Sequence, residues 1–201
     1  MKSNLLALAV IALGTSGLVG CQRDDDRLTG AERAASTQPE PAPADSAGDA
    51  AGPGAATSDE GAALAVLNAI NSHEIAAGQQ ALAKGVKGDV AAYAQMMIDQ
   101  HGENRSKTTA LGPDENAPEA VAQRSKGEQE LAALDRVAGD GYAKAYVDAM
   151  VKGHAEALDV LDSRLIPSAT RPEVKAHLVV AREHVANHLK QAEALRAATG
   201  G

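Results

Sequence analysis

The segment VAAYAQMMIDQHGENRSKTTAL, residues 90–111, decides the fold. One series of residues in it recurs at alternating steps of four and three, namely Val90, Ala94, Met97, His101, Asn104, Thr108 and Leu111. That spacing places one side of an α-helix against a core. His101 therefore falls where the repeat requires a buried side chain, and it is either a tolerated core residue or a ligand.

The chain from residue 58 onward has the composition of a helical domain. It contains no Phe or Trp, Ala and Leu dominate, and Gly and Pro mark the ends of the periodic segments. The predicted helices span 58–85, 89–112, 118–137, 140–167 and 173–198. Their apolar stripes predict buried leucines that include Leu82, Leu111, Leu158 and Leu195.

The connections between these helices predict their arrangement. Short turns after 58–85 and after 140–167 indicate two antiparallel hairpins. The long link between the hairpins carries the short helix 118–137. We therefore expect an all-α, ferritin-like antiparallel four-helix bundle with a long crossover that contains an extra short helix.

Each of the four long helices has one strongly polar residue on its apolar stripe: Glu74, His101, His154 and His188. At 1.5 Å per residue, Glu74 and His101 differ by about 3 Å in height within the first hairpin. His154 and His188 differ by about 4.5 Å within the second. Polar groups can thus meet within each hairpin, whereas the level of one hairpin relative to the other is left open.

One carboxylate and three imidazoles are a donor set for zinc, copper or iron, so Glu74, His101, His154 and His188 are the predicted metal ligands. Further candidate ligands lie four residues from a histidine on the same helix face, namely Met97, Met150 and His184. The prediction is a binding site without catalytic residues. A conventional di-iron centre is disfavoured because the sequence contains no Glu-x-x-His.

Two alternatives remain open for the same residues. Glu–His and His–His hydrogen bonds could close a metal-free polar layer that only sets helix register in a structural or interaction module. The second alternative is a small-ligand or catalytic pocket. In its catalytic form the protein would be an oxidoreductase with a redox metal. Nearby, His73 is expected to face solvent and His177 to lie at the edge of its stripe.

The first twenty residues are predicted to be a signal peptide. Lys2 precedes the apolar run LLALAVIALGTSGLV, which is too short for a firm membrane span. The run continues into LVGC, which resembles the lipobox of bacterial lipoproteins and implies lipidation of Cys21 after cleavage. Because residue 22 is Gln rather than Asp, we expect a periplasmic protein anchored to the outer membrane of a Gram-negative bacterium.

Residues 21–57 are predicted to be the lipidated cysteine and a disordered Pro-, Ala- and Gly-rich tether, with the domain at 58–201.

Without Lys2, 18 basic and 27 acidic residues give a net charge of −9. An acidic chain without basic clusters is not expected to bind nucleic acid and should meet the membrane only through its anchor. Protein partners remain open. The single cysteine excludes disulfides and thiolate metal clusters.

Three spaced motifs resemble a known family. They are EIAAGQQALAKGVKGDVAAYAQMMIDQH, GYAKAYVDAMVKGH and HVANHLKQAEAL, within residues 60–196. The chain is similar there to the ferritin-like bacterial family termed domain of unknown function 4142, which implies a secreted or periplasmic protein and no particular activity. The matching positions include the four polar stripe residues, whereas Gln100 stands where the family usually has Asp.

Overall fold

The computed structural model describes residues 58–199, so the signal peptide, Cys21 and the tether lie outside the described residues. Within 58–199 the protein is all-α and has no β-strand, which confirms the predicted class. None of the helices there combines the length and apolar character that a bilayer crossing requires. The helices are α1 (Ser58–Ala83), α2 (Gly88–Ala110), α3 (Pro118–Asp135), α4 (Gly141–Val160), α5 (Ile166–Ser168) and α6 (Pro172–Thr199).

The predicted helix 140–167 is interrupted by a change of helix type. Residues Leu161–Leu165 form a π-helical turn between α4 and α5, and the N–H of Ile166 donates to the carbonyl of Leu161. Pro167 has no N–H to give to a preceding carbonyl. The wider π turn lets the helical path continue through this proline, and the path ends one residue later, at Ser168.

The most extensive helix contact joins α1 to α2, and extensive contacts also join α1 to α3 and α4 to α6. Hydrogen bonds pair Asn68 with Thr109 and Asn71 with Asn104, so α1 and α2 are antiparallel. Gly78 allows their close approach, because a Cβ there would lie 2.7 Å from the carbonyl oxygen of Ala94. The two predicted hairpin pairs are therefore present, and weaker contacts of α2 with α6 and of α1 with α4 connect them.

The link between the hairpins returns along α1 as helix α3. Gln80 bonds to the carbonyl of Leu131 and Lys84 to that of Asp135, so α3 runs parallel to α1. The prediction that His73 faces solvent is wrong, because α3 packs over it. The ring of His73 lies against Gly127, where a Cβ would come within 3.0 Å of it.

Two apolar clusters form the core, with a polar layer between them. One cluster lies near the start of α1 and contains Leu64, Leu67, Leu161, Leu165 and Leu178; the other contains Ala77, Met97, Tyr146, Met150 and Ala192. On each long helix the polar stripe residue falls between the segments that supply the two clusters. Four predicted core leucines are only half-buried, because they pack at the edges of these clusters: Leu82, Leu111, Leu158 and Leu195.

Candidate metal centre

The structure brings together the three histidines predicted as ligands. His101 from α2, His154 from α4 and His188 from α6 are at most 3 % exposed. One ring nitrogen from each lies within 4.8 Å of those of the other two. The long link therefore sets both hairpins at the same level, which the sequence left open.

The ring separations match those of imidazoles that share one metal ion. The ring centroids are 5.0 Å apart for His101 and His188, 5.4 Å for His154 and His188, and 5.8 Å for His101 and His154. Imidazoles bound through about 2.05 Å bonds have centroids about 5.2 to 5.5 Å apart.

Hydrogen bonds fix which nitrogen of each ring carries the proton. Nδ1 of His101 is 2.9 Å from the amide oxygen of Asn71, and Nδ1 of His154 is 2.8 Å from the carbonyl oxygen of Met150. Nε2 of His188 is 2.7 Å from the amide oxygen of Gln100. Because these oxygens only accept, each of the three nitrogens must donate a proton.

In a neutral imidazole with that proton, the opposite nitrogen carries the free lone pair. The opposite nitrogens are Nε2 of His101, Nε2 of His154 and Nδ1 of His188, and all three are buried without a hydrogen-bond partner among residues 58–199. Histidines that bind metals commonly donate their other N–H to a carbonyl or carboxylate in this way. Asn71 and Gln100 are thus positioning residues that the stripe analysis did not assign to the site.

The partner of His101 belongs to a longer polar network. Asn71 donates through Nδ2 to Oδ1 of Asn104, and Thr108 lies 3.3 Å from the same oxygen. Nε2 of His177 is 2.8 Å from the hydroxyl of Thr108, and His177 is half-buried at its stripe edge, as predicted. This chain of contacts holds Asn71 in the one orientation that accepts from His101.

Glu74, the fourth predicted ligand, lies beside the triad rather than in it. Its Oε1 is 4.0 Å from Nδ1 of His154, the nitrogen opposite the one that the ring offers to the centre. Its Oε2 is buried without a hydrogen-bond partner in the described part of the chain. The carboxylate therefore lies beside the three histidines and is not one of the convergent groups.

The other candidate ligands differ in their surroundings. Met97 and Met150 are fully buried in the apolar cluster next to the histidines. His184 is exposed on α6 and is not among the three convergent rings. The exposed His184 therefore offers a control position on the same helix as His188.

Two tyrosines line the Glu74 side of the layer. The rings of Tyr93 and Tyr146 pack edge to face with centroids 6.4 Å apart. Burial, and then the Glu74 carboxylate, raise the pKa of both phenols, so they stay protonated at neutral pH. The hydroxyl of Tyr93 donates to the carbonyl oxygen of His188 and helps to hold the backbone of this residue.

Burial also keeps two of the imidazoles neutral. Burial, and then the neighbouring histidines, lower the pKa of His101 well below its usual value. The same causes lower the pKa of His188 to about 3. Neutral imidazole is the form that binds metal, so no proton has to leave these two rings at neutral pH.

These shifts predict a pH dependence of the metal-free protein. An unfolded histidine takes up a proton near pH 6.5, whereas folded His188 does so only near pH 3. The unfolded state therefore binds more protons in between, and stability falls as the pH drops below about 6.5. At pH 5 the loss from His188 should be about 2 kcal/mol. Urea unfolding at several pH values, with chelator present, measures the free energy of unfolding. H188Q should make this free energy less dependent on pH. An equally steep pH dependence in that variant would contradict the low pKa of His188.

Comparison with known proteins identifies the family and nothing more specific. No curated protein and no solved structure matches the chain. The family described as Domain of unknown function (DUF4142) matches residues 44–195, which are 152 of 201 residues. The chain therefore belongs to this family of domains of unknown function.

Proposed function

We propose that this protein binds one copper or zinc ion between His101, His154 and His188, as a metal-binding protein without an enzymatic reaction. The observation that carries the proposal is the convergence of three buried imidazoles, each with one ring nitrogen in a hydrogen bond and the other without a partner among residues 58–199. Imidazole nitrogen suits both metals. A three-histidine set also leaves one coordination position open for water or another small ligand.

Charge supports a cation as the ligand. Glu74 is 2 % exposed, and its nearest imidazole donates to a backbone carbonyl instead of to the carboxylate. A buried carboxylate without a compensating cation is costly. A metal ion at the triad lies one imidazole away from Glu74 and offsets this charge, while the thioethers of Met97 and Met150 would favour Cu(I) if either turned toward the ion.

The helix arrangement supports a ferritin-like four-helix bundle as the scaffold. α1 is antiparallel to α2, and contacts of Glu74 with His154 and of Gln80 with Tyr142 make it antiparallel to α4 as well. α2 and α4 are therefore parallel, which requires the connection through α3 to cross the length of the bundle. In this scaffold the proposed centre differs from a di-iron site because all three of its protein ligands are histidines, whereas a di-iron site takes most of its ligands from glutamates.

We further propose that the domain works in the cell envelope. Lipidation at Cys21 would hold it to the outer membrane, and residues 22–57 would let it reach into the periplasm. The acidic charge of the chain would keep it away from anionic lipid. Buffering or carrying copper or zinc ions is the role that fits a buried site on a tethered domain.

A metal-free polar layer is the second candidate. The 4.0 Å separation between Oε1 of Glu74 and Nδ1 of His154 favours it, because a polar contact there ties α1 to α4 without any metal ion. In that case the layer fixes helix register and the domain acts through contacts with other proteins.

Thermal unfolding of the full chain, without added tag histidines, distinguishes the metal-binding function from the metal-free polar layer. A metal ion at 100 times its Kd should stabilise the folded state by about 2.7 kcal/mol. We expect such a shift with Zn²⁺ or Cu⁺ after stripping with a chelator, and elemental analysis should give one ion per chain. Unchanged unfolding with Zn²⁺, Cu⁺ and Fe²⁺ would leave only the metal-free layer.

A further inference from the structure

Glu74 lines a surface cleft, and its carboxylate lies 4.0 Å from His154 of the triad. The cleft lies between α1, α3 and α4 and is lined by residues that include His73, Glu74, Lys126, Glu130, Gly153 and Glu156. Its volume is about 30 Å³. A water molecule needs at least about 10 to 15 Å³ by this measure, so the cleft has room for one or two.

One feature of the cleft points to a cation. Oε2 of Glu74 has no hydrogen-bond partner in the described residues although the side chain is almost fully buried. At the mouth, Nε2 of His73 lies 3.5 Å from Oε2 of Glu130. Glu74 therefore offers a buried carboxylate oxygen 4.0 Å from His154, whereas the Glu130 carboxylate at the mouth is shared with Lys126 and Lys152.

A glycine keeps the inner end of the cleft open. Gly153 precedes His154 on α4, and a Cβ at that position would lie 3.5 Å from Oε1 of Glu74. Any side chain there would therefore occupy the space beside the carboxylate. Glycine in the middle of a helix costs about 0.5 to 1 kcal/mol relative to alanine, so its use here is consistent with a need for open space.

The seam between α3 and α4 at the mouth of the cleft is only weakly held. α3 contacts α1 extensively but α4 only slightly. Ion pairs bridge that seam, with Lys126 of α3 to Glu156 of α4 at 2.5 Å and Lys152 of α4 to Glu130 of α3 at 3.6 Å. Exposed pairs of this kind are each worth about 0 to 1 kcal/mol, so they can open and re-form easily.

We propose that this cleft is the route by which the metal ion reaches the three histidines, and that Glu74 is the carboxylate that receives the ion inside it. The inference rests on the proposed function of the triad. The entering ion exchanges water for the carboxylate of Glu74 and then passes the ring of His154 to the free nitrogens. No covalent or redox step is involved.

Blocking the route should change rates without changing affinity. In G153A a methyl group fills the inner cleft, and in G153V the branched side chain fills it further. Because association and dissociation use the same path, we expect both rate constants to fall at least about tenfold, a barrier increase of about 1.4 kcal/mol. The Kd should stay within about twofold, since the same factor cancels in the ratio.

The experiment uses the full chain with Zn²⁺ or Cu⁺ delivered and withdrawn by a chromophoric chelator in stopped flow. Gly102 provides the matched control, because it lies next to His101 as Gly153 lies next to His154, and a Cβ there meets nothing within 4 Å. G102A and G102V should leave both rates unchanged. Unaltered rates in G153A and G153V, or a weaker Kd with unaltered association, would overturn the route. Absence of binding in the parent would instead reject the triad itself.

Discussion

The H154L variant is expected to unfold no more easily than the metal-free parent, yet to lose the response to metal. His154 is 1 % exposed between two apolar clusters, and its Nε2 has no partner in the described chain. Leucine has a similar volume and no polar atom to leave unsatisfied. Replacing buried ionic or polar groups with well-packed apolar ones is often neutral or stabilising by about 1 to 4 kcal/mol.

Metal binding should change far more. Losing an outer hydrogen-bond partner of a metal ligand already weakens affinity by about 10- to 100-fold, so losing an imidazole that binds directly should exceed about 100-fold. At a metal concentration of 100 times the parent Kd, stabilisation should then fall from about 2.7 to about 0.4 kcal/mol or less. Thermal unfolding with and without Zn²⁺ or Cu⁺ measures both effects in one series.

The control is H184L on α6, where the replaced ring is exposed and separate from the triad. It should keep the full metal response. A response that survives in H154L but disappears in H184L would place the site elsewhere. If the metal-free parent and H154L are equally unaffected by metal, only the register-setting layer explains the buried histidines.

The sequence predicted the helices and the triad because both depend on local periodicity. A histidine on an apolar stripe is visible in the chain itself, so His101, His154 and His188 could be found without a structure. Glu74 was found in the same way, but its place beside the triad depends on helix rotation. A rotation of a few tens of degrees moves a side chain from the centre of a layer to its edge.

Other features depend on contacts between distant segments and left no periodic signal. Gln100 is adjacent to His101 and exposed, yet it sets the proton on His188, 88 residues away. The sequence predicts an exposed His73 because the position of α3 over this residue cannot be derived from the amphipathic pattern of α3. The cleft beside Glu74 exists only because α3 covers α1, so it was equally hidden.

Glu60 is the clearest case of a residue that the sequence does not reveal, and it should carry the largest single contribution to stability. It lies in the first turn of α1 and is fully buried. Oε2 accepts from the backbone N–H groups of Thr170 and Arg171 at 2.7 and 2.8 Å, and Oε1 accepts from Nε of Arg171. Arg171 also donates to the carbonyl of Leu111, so this pair joins the start of α1, the end of α2 and the start of α6.

The E60Q variant keeps the size of the side chain but removes its charge and one acceptor oxygen. Breaking a buried charged pair on one side costs about 3 to 5 kcal/mol, and the partial exposure of Arg171 favours the lower end, about 3 kcal/mol. That change should lower Tm by roughly 10 °C, measured by thermal unfolding at neutral pH.

Burial by itself would raise the pKa of Glu60, but the donors of Arg171 and Thr170 outweigh it and lower the pKa. The stabilisation by Glu60 is therefore present at pH values above the pKa that Glu60 has in the unfolded chain. It is lost as the pH falls through the lower pKa of the folded protein.

The matched control is E103Q, which makes the same chemical change in an exposed residue paired with Lys107 one turn away. It should leave Tm unchanged, because an exposed pair within one helix contributes little. E60Q should also leave the metal response intact, since Glu60 lies at the end of the core and the triad lies in its middle layer. Equal Tm values for E60Q and E103Q would mean that the three segments are held together by the apolar cluster around Leu64 rather than by the carboxylate.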